Sequence, residues 1–175
     1  MTKKADKKVY LLLGLMFVAV VIAVALNRGD PELRRALEEN REFLIHMDGE
    51  TIATVSLQDL LDLEPEVFTT TMSTSISKPR QVELEGVELR VVLEEQGIDT
   101  TDATGFIFAG YDRYYSPLTL KEVEKPGFIY VCLKMDGEVL KPQSEGGMGP
   151  FLMVTRDTPF AQRWCKYVES VEIRK

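Results

Sequence analysis

The sequence is short of the residues that most enzymes use. It has one histidine, one tryptophan and two cysteines in 175 residues. His46 stands alone in an alternating apolar stretch, and no Cys/His spacing for zinc accompanies it, so a zinc site and paired-histidine haem ligation are both excluded. No Gly-x-Ser-x-Gly elbow is present, which argues against a serine hydrolase. A basic surface is also missing. The net charge is −7, and the first 26 residues carry four Lys and one Asp, so acidic residues outnumber basic ones by ten in the remainder. Such a domain repels phosphate backbones, and nucleic acid is not an expected partner.

What is present begins with a hydrophobic run. Val9 to Leu26 is uncharged and spans roughly 27 Å as a helix, about the thickness of a bilayer core. Lys3, Lys4, Lys7 and Lys8 precede it, and no such cluster follows. The positive-inside rule then places residues 1–8 in the cytoplasm, 9–26 in the membrane and the rest outside. Ala23-Val24-Ala25 also fits a signal-peptide cleavage site, and either reading puts the domain across the cell membrane. Residues 27–41 read as a linker with a stalk helix over Pro31–Asn40, capped by Asp30.

The folded domain is expected over residues 42–175. Asp48-Gly49 and Asp136-Gly137 are two-residue hairpin signals. Ser56-Leu57-Gln58-Asp59 and Thr119-Leu120-Lys121-Glu122 are capping boxes that open short helices. A third helix is expected over Glu88–Gln96, ended by Gly97. Strands are expected over Phe43–Met47, Thr51–Val55, Val67–Met72, Gln81–Glu85, Gly105–Ala109, Phe128–Met135, Phe151–Thr155 and Tyr167–Ile173. Hairpins among short helices exclude a purely parallel sheet, so the fold class is α+β with mixed sheets.

In order and spacing these elements resemble the molybdopterin-binding oxidoreductase domain, the catalytic module of sulfite oxidases and related extracytoplasmic reductases. The resemblance covers about residues 50–174. It rests on Val55-Ser56-Leu57-Gln58-Asp59-Leu60-Leu61, Glu85-Gly86-Val87-Glu88-Leu89, Ala109-Gly110-Tyr111-Asp112, Met135-Asp136-Gly137-Glu138-Val139-Leu140, Gly146-Gly147-Met148-Gly149-Pro150 and Lys166-Tyr167-Val168. It implies a sulfite-oxidase-like fold and a molybdopterin cofactor whose metal is held by a Cys thiolate just after the strand ending here at Met72. This chain has Ser73-Thr74-Ser75-Ile76-Ser77 there, and Phe151 follows Gly149-Pro150 where the family usually has Arg. Hydroxyls are poor substitutes for a soft thiolate.

Three segments are candidates for a ligand site. Tyr111, Asp112, Arg113, Tyr114 and Tyr115 form an aromatic loop at the end of a buried strand, where a planar ring can stack and an anion can pair with Arg113. Gly146, Gly147 and Gly149 lie in a Gly-rich loop whose N–H groups are suited to an anion. Ser73 and Ser75 would form a third wall. Ser116-Pro117 reads as a turn signal. Cys132 and Cys165 are read either as buried small apolar residues or as a disulfide, which an extracytoplasmic compartment permits.

No catalytic residue and no metal ligand is assigned. The leading expectation is a membrane-anchored domain that keeps this fold without the metal ligand and binds a small molecule or a protein. Two alternatives stand beside it. One is a redox enzyme or subunit that holds a molybdenum cofactor atypically; the other is an assembly protein of a membrane complex.

Overall fold

A computed structural model describes residues 3–26, 31–73, 78–156, 158 and 161–175. Asp30, proposed above as a helix cap, and Ser75 lie outside the described residues. The chain divides into two compact units, Met1–Arg35 and Ala36–Lys175.

The first unit holds helix α1 (Lys3–Leu26). Its side chains are described from Tyr10 to Ile22, all of them exposed. Among the described residues, no helix is long and apolar enough to cross a membrane.

The second unit takes in the end of helix α2 (Pro31–Asn40), where Leu37 is buried. Its first sheet joins five strands: β1 (Glu42–Met47), β2 (Glu50–Ser56), β5 (Gly105–Gly110), β6 (Tyr115–Leu118) and β10 (Val168–Arg174), in the order β2-β1-β10-β5-β6. The β1–β10 pair is parallel and the others are antiparallel. The second sheet runs β3 (Glu66–Met72), β4 (Arg80–Glu88), β7 (Ile129–Met135), β8 (Glu138–Val139), with β9 (Leu152–Thr155) pairing the first half of β7. Mixed sheets with short helices match the expected α+β class.

Local chemistry accounts for the turns. Asp48 and Gly49 have φ of 49° and 85°, and Asp136 and Gly137 have 53° and 81°, as a type I′ hairpin requires. Ser56 caps α3 (Leu57–Asp62) and Thr119 caps α5 (Leu120–Glu124). In both, the cap hydroxyl accepts the third residue's N–H and that residue's carboxylate accepts the cap N–H, satisfying donors that the first turn leaves open. Helix α4 (Leu89–Glu95) buries Leu89, Val92 and Leu93.

The centre of the second sheet, β7 with β9, is buried on both faces. Along β7 the side chains alternate: Ile129, Val131 and Leu133 enter the main core with Phe43, Phe106, Phe108 and Phe151. Tyr130 and Cys132 enter a second cluster with Phe68, Leu84, Leu152, Val154 and Trp164. Period-two alternation therefore fills two cores from one strand. Gly86 makes the β4–β7 contact possible, because a Cβ there would lie 2.6 Å from the Val131 carbonyl oxygen and 2.7 Å from the Cys132 Cα.

The same alternation corrects the disulfide alternative. Cys132 and Cys165 are free thiols, both fully buried, and they belong to different clusters. They are the buried small residues of the other reading.

Candidate functional site

The aromatic segment is the loop of a hairpin between β5 and β6, with Tyr115 opening the second strand. Gly110 and Tyr114 close the turn, with the Gly110 N–H donating to the Tyr114 carbonyl oxygen at 3.0 Å. The Asp112 carboxylate accepts the Tyr114 N–H at 3.0 Å, and Arg113 sits at φ 66°. Tyr115 already belongs to strand β6, and so do Ser116 and Pro117, which the turn reading missed. A proline fits there because β6 is an edge strand whose outer N–H groups have no partner strand among the described residues.

The hairpin is pinned to residues 161–168, of which the sequence reading placed only Tyr167 and Val168 in a strand. The Tyr114 hydroxyl donates to the Gln162 carbonyl oxygen. The buried Ser116 hydroxyl donates to the Arg163 carbonyl oxygen at 2.7 Å. The Arg163 guanidinium donates to Glu122 at 2.6 Å and to the Pro117 carbonyl oxygen at 3.1 Å. That guanidinium is the main reason the Glu122 carboxyl titrates at about 2, far below its ordinary range. No short motif announces this arrangement, because each bond spans more than 40 residues of chain.

The same segment gathers the other candidates. The Tyr111 N–H donates to the Tyr167 carbonyl oxygen at 2.9 Å, and the Tyr167 N–H donates to Met148 in the Gly-rich loop at 3.0 Å. The Ala161 N–H reaches the Ser73 carbonyl oxygen at 3.3 Å. The hairpin, the Gly-rich loop and Ser73 thus share one scaffold.

The Gly-rich loop does not act as an anion nest. The N–H groups of Gly146, Gly147 and Gly149 donate to the carbonyl oxygens of Gln143, Pro142 and Lys141. All three are used inside the loop, so the expected backbone contribution is corrected. The glycines serve close packing instead: a Cβ on Gly147 would fall 2.0 Å from the Lys141 carbonyl oxygen. Beside the loop lies an open groove of about 340 Å³, bordered by Met135, Asp136, Glu138, Val139, Leu140, Lys141 and Met148.

The side chains left to meet a ligand are those at the hairpin tip and along this groove. Arg113 is exposed, Tyr115 is 62% exposed and Tyr114 39%. Lys141 lies exposed at the groove.

The donor set does not fit a thiolate-held metal. Burial pushes the Cys132 thiol up, and burial with the nearby Asp112 charge pushes Cys165 up to about 12, so both stay protonated near neutrality. The chain after β3 opens with Ser73 and has no cysteine. Among the described residues, no group of three or more His, Cys, Asp or Glu side chains converges on a point. The arginines of the second sheet and its surroundings are committed as well: Arg80 to Asp136, Arg90 to Glu88, Arg156 to Glu66 and Arg163 to Glu122. The phosphate of a pterin cofactor would have to compete with a carboxylate for each.

The family described as the oxidoreductase molybdopterin binding domain matches residues 32–175. No curated protein matches the chain. Among solved structures, the sulfane dehydrogenase SoxCD from Paracoccus pantotrophus is similar with a TM-score of 0.61 and 16% sequence identity. The match covers 76% of this chain and 38% of that one, so this chain spans well under half the length of that protein. At this identity the likeness establishes the fold: mixed sheets of the sulfite-oxidase type. By its match over residues 32–175, this chain belongs to the family of molybdopterin-binding oxidoreductase domains.

Proposed function

We propose that this domain keeps the family's fold without thiolate-held metal chemistry and binds a planar, anionic small molecule. One observation carries the reading. The two thiols are buried, protonated and on opposite sides of a sheet, while the position after Met72 holds Ser73. The binding surface is the hairpin tip with Arg113, Tyr114 and Tyr115, together with Lys141 at the groove beside Gly146 and Gly147. Arginine pairs with the anion, the tyrosine rings cover the plane, and the rigid hairpin lowers the ordering cost of binding.

The same proposal places the domain outside the cytoplasm on a retained anchor. The support is the uncharged run from Val9 to Leu26 and the four lysines before it, all within helix α1.

The test uses the full chain purified in mild detergent from its own membranes. Metal analysis for molybdenum and tungsten is paired with pterin fluorescence, then with a thermal-shift screen of planar anions. The expected result is no stoichiometric metal, and a stabilising ligand whose effect is lost in Arg113→Ala and reduced in Tyr115→Ala. Stoichiometric molybdenum with a pterin signal would overturn the proposal in favour of an atypically held cofactor. A ligand indifferent to both substitutions would sink the site assignment.

A further inference from the structure

Helices α4 and α5 flank a cleft of about 220 Å³ that opens to solvent. Its floor is apolar: Leu93 and Val123 are buried, and Ile98 packs against the main core. Its rim carries Glu94, Asp99 and Glu124, all exposed, and Arg90 and Thr100 complete the lining. The cleft shares no residue with the groove beside the Gly-rich loop or with the hairpin tip.

The three rim carboxylates are unmatched. Elsewhere Arg80, Lys134, Arg156 and Arg163 each stand within 3.0 Å of a carboxylate. Among the described residues, no ion pair takes Glu94, Asp99 or Glu124. Arg90, the cation in the lining, donates twice to Glu88, at 2.7 and 3.2 Å. Hydrogen bonds from Thr101, and last the Lys175 charge, hold the Asp99 carboxyl below its ordinary range, so it is ionised near neutrality. The end of α4 sharpens the imbalance. Its last turn carries Glu94 and Glu95 and no basic residue, although the helix dipole favours cations there. Such breaches of a local rule concentrate at functional surfaces.

We infer that this cleft docks a basic segment of a partner protein, with the stem of one arginine on the apolar floor and its guanidinium at the carboxylate rim. Three observations select this occupant. An apolar floor beneath a negative rim matches a side chain with an alkyl stem and a cationic head. The cleft is smaller than the roughly 300 Å³ at which small-molecule pockets begin, so it takes a side chain and not a cofactor. The carboxylates are also spread along the rim. Among the described residues, no three acidic, His or Cys side chains converge on a point, so one metal ion or one amine cannot serve all of them. A peptide with several positive charges can. Guanidinium is the better head because it is weakly hydrated and forks onto carboxylates. A copy of this chain is the wrong partner, since a net charge of −7 opposes its approach.

The experiment is fluorescence anisotropy of a labelled hexa-arginine peptide with the full chain in non-ionic detergent. Wild type is expected to bind, with an affinity that falls as salt rises. Glu94→Gln, Asp99→Asn and Glu124→Gln together should weaken binding about tenfold, the sum of three exposed ion pairs. Asparagine keeps an oxygen for the Thr101 donors, so the fold is preserved. Glu39→Gln, Glu50→Gln and Glu83→Gln remove the same charge from exposed positions outside the cleft, and should leave the affinity within about twofold. Equal losses in the two triple variants overturn the inference, because net charge and not the cleft would then hold the peptide. A wild type that fails to bind at low salt overturns it as well. So does spermine that displaces the peptide at equal charge, which would give the cleft to a polyamine. Arg113→Ala should leave peptide binding unchanged, so this inference stands or falls apart from the planar-anion reading.

Discussion

Cys132 and Cys165 occupy neighbouring rungs of one sheet and point to opposite faces. Cys132 pairs with Leu152, and Cys165 pairs with the next residue, Met153. Adjacent residues on a strand face opposite ways, so the thiols enter separate cores although their backbones run close together.

The native protein should therefore resist thiol reagents. Both cysteines are 0% exposed, and burial holds each thiol protonated. Mass spectrometry after alkylation should find two unmodified thiols in the folded chain and two modified ones in denaturant, with no need for reductant. A thiol that reacts in the native state as fast as in a peptide would contradict the packing.

Acid should loosen the hairpin scaffold through Glu122. Its folded pKa is depressed to about 2 from an ordinary value of 4.5, mainly by the Arg163 hydrogen bond. The stability it contributes is thus full above about 4.5 and is lost as pH falls toward about 2. Glu122→Gln should cost about 1–3 kcal/mol near neutrality, and it should flatten the acid limb of the melting curve between those limits. An unchanged acid limb would show that the pair does not hold the scaffold.

Tyr130 should matter more for its hydroxyl than its exposure suggests. The buried phenol donates to Glu66 at 2.7 Å and accepts from Arg156 at 3.3 Å, while Arg156 lies 4.9 Å from the Phe68 ring. Burial, with the Glu66 bond second, raises its pKa to about 12, so it remains a donor at any ordinary pH. Tyr130→Phe keeps the ring and removes the donor, and denaturant titration should show a loss of about 1–2 kcal/mol. A neutral result would mean that Glu66 and Arg156 satisfy each other without it.

Gly86→Ala tests the closest backbone approach in the second sheet. The added methyl meets backbone atoms of Val131 and Cys132, which cannot swing aside as a side chain would. A loss of about 1–3 kcal/mol is expected. Gly137→Ala is the control for contact: nothing lies within 4 Å there, and its penalty comes from φ 81° alone.

The local elements were legible because their causes are local. The capping boxes at Ser56 and Thr119 and the hairpins at Asp48-Gly49 and Asp136-Gly137 need contacts no more than a few residues apart. Of the strands that flank these hairpins, β1, β2 and β7 were read nearly to their ends, while the two-residue β8 was not read at all. Tyr115-Ser116-Pro117 was misread because turn residues and an edge strand use the same proline. Only its place beside β5, with no strand beyond, separates the two.

By itself the sequence determined the fold class, the turns and caps, and the lack of a cysteine after Met72, since each follows from residue identity and short spacing. The tertiary structure alone decided three further matters. It gathered the hairpin, Ser73 and the Gly-rich loop on residues 161–168, it set the thiols on opposite faces, and it spent the Gly-rich N–H groups inside their own loop. These depend on which distant strands pair and in what register. That choice is made by burying both faces of β7 at once, and no window of neighbouring residues contains it.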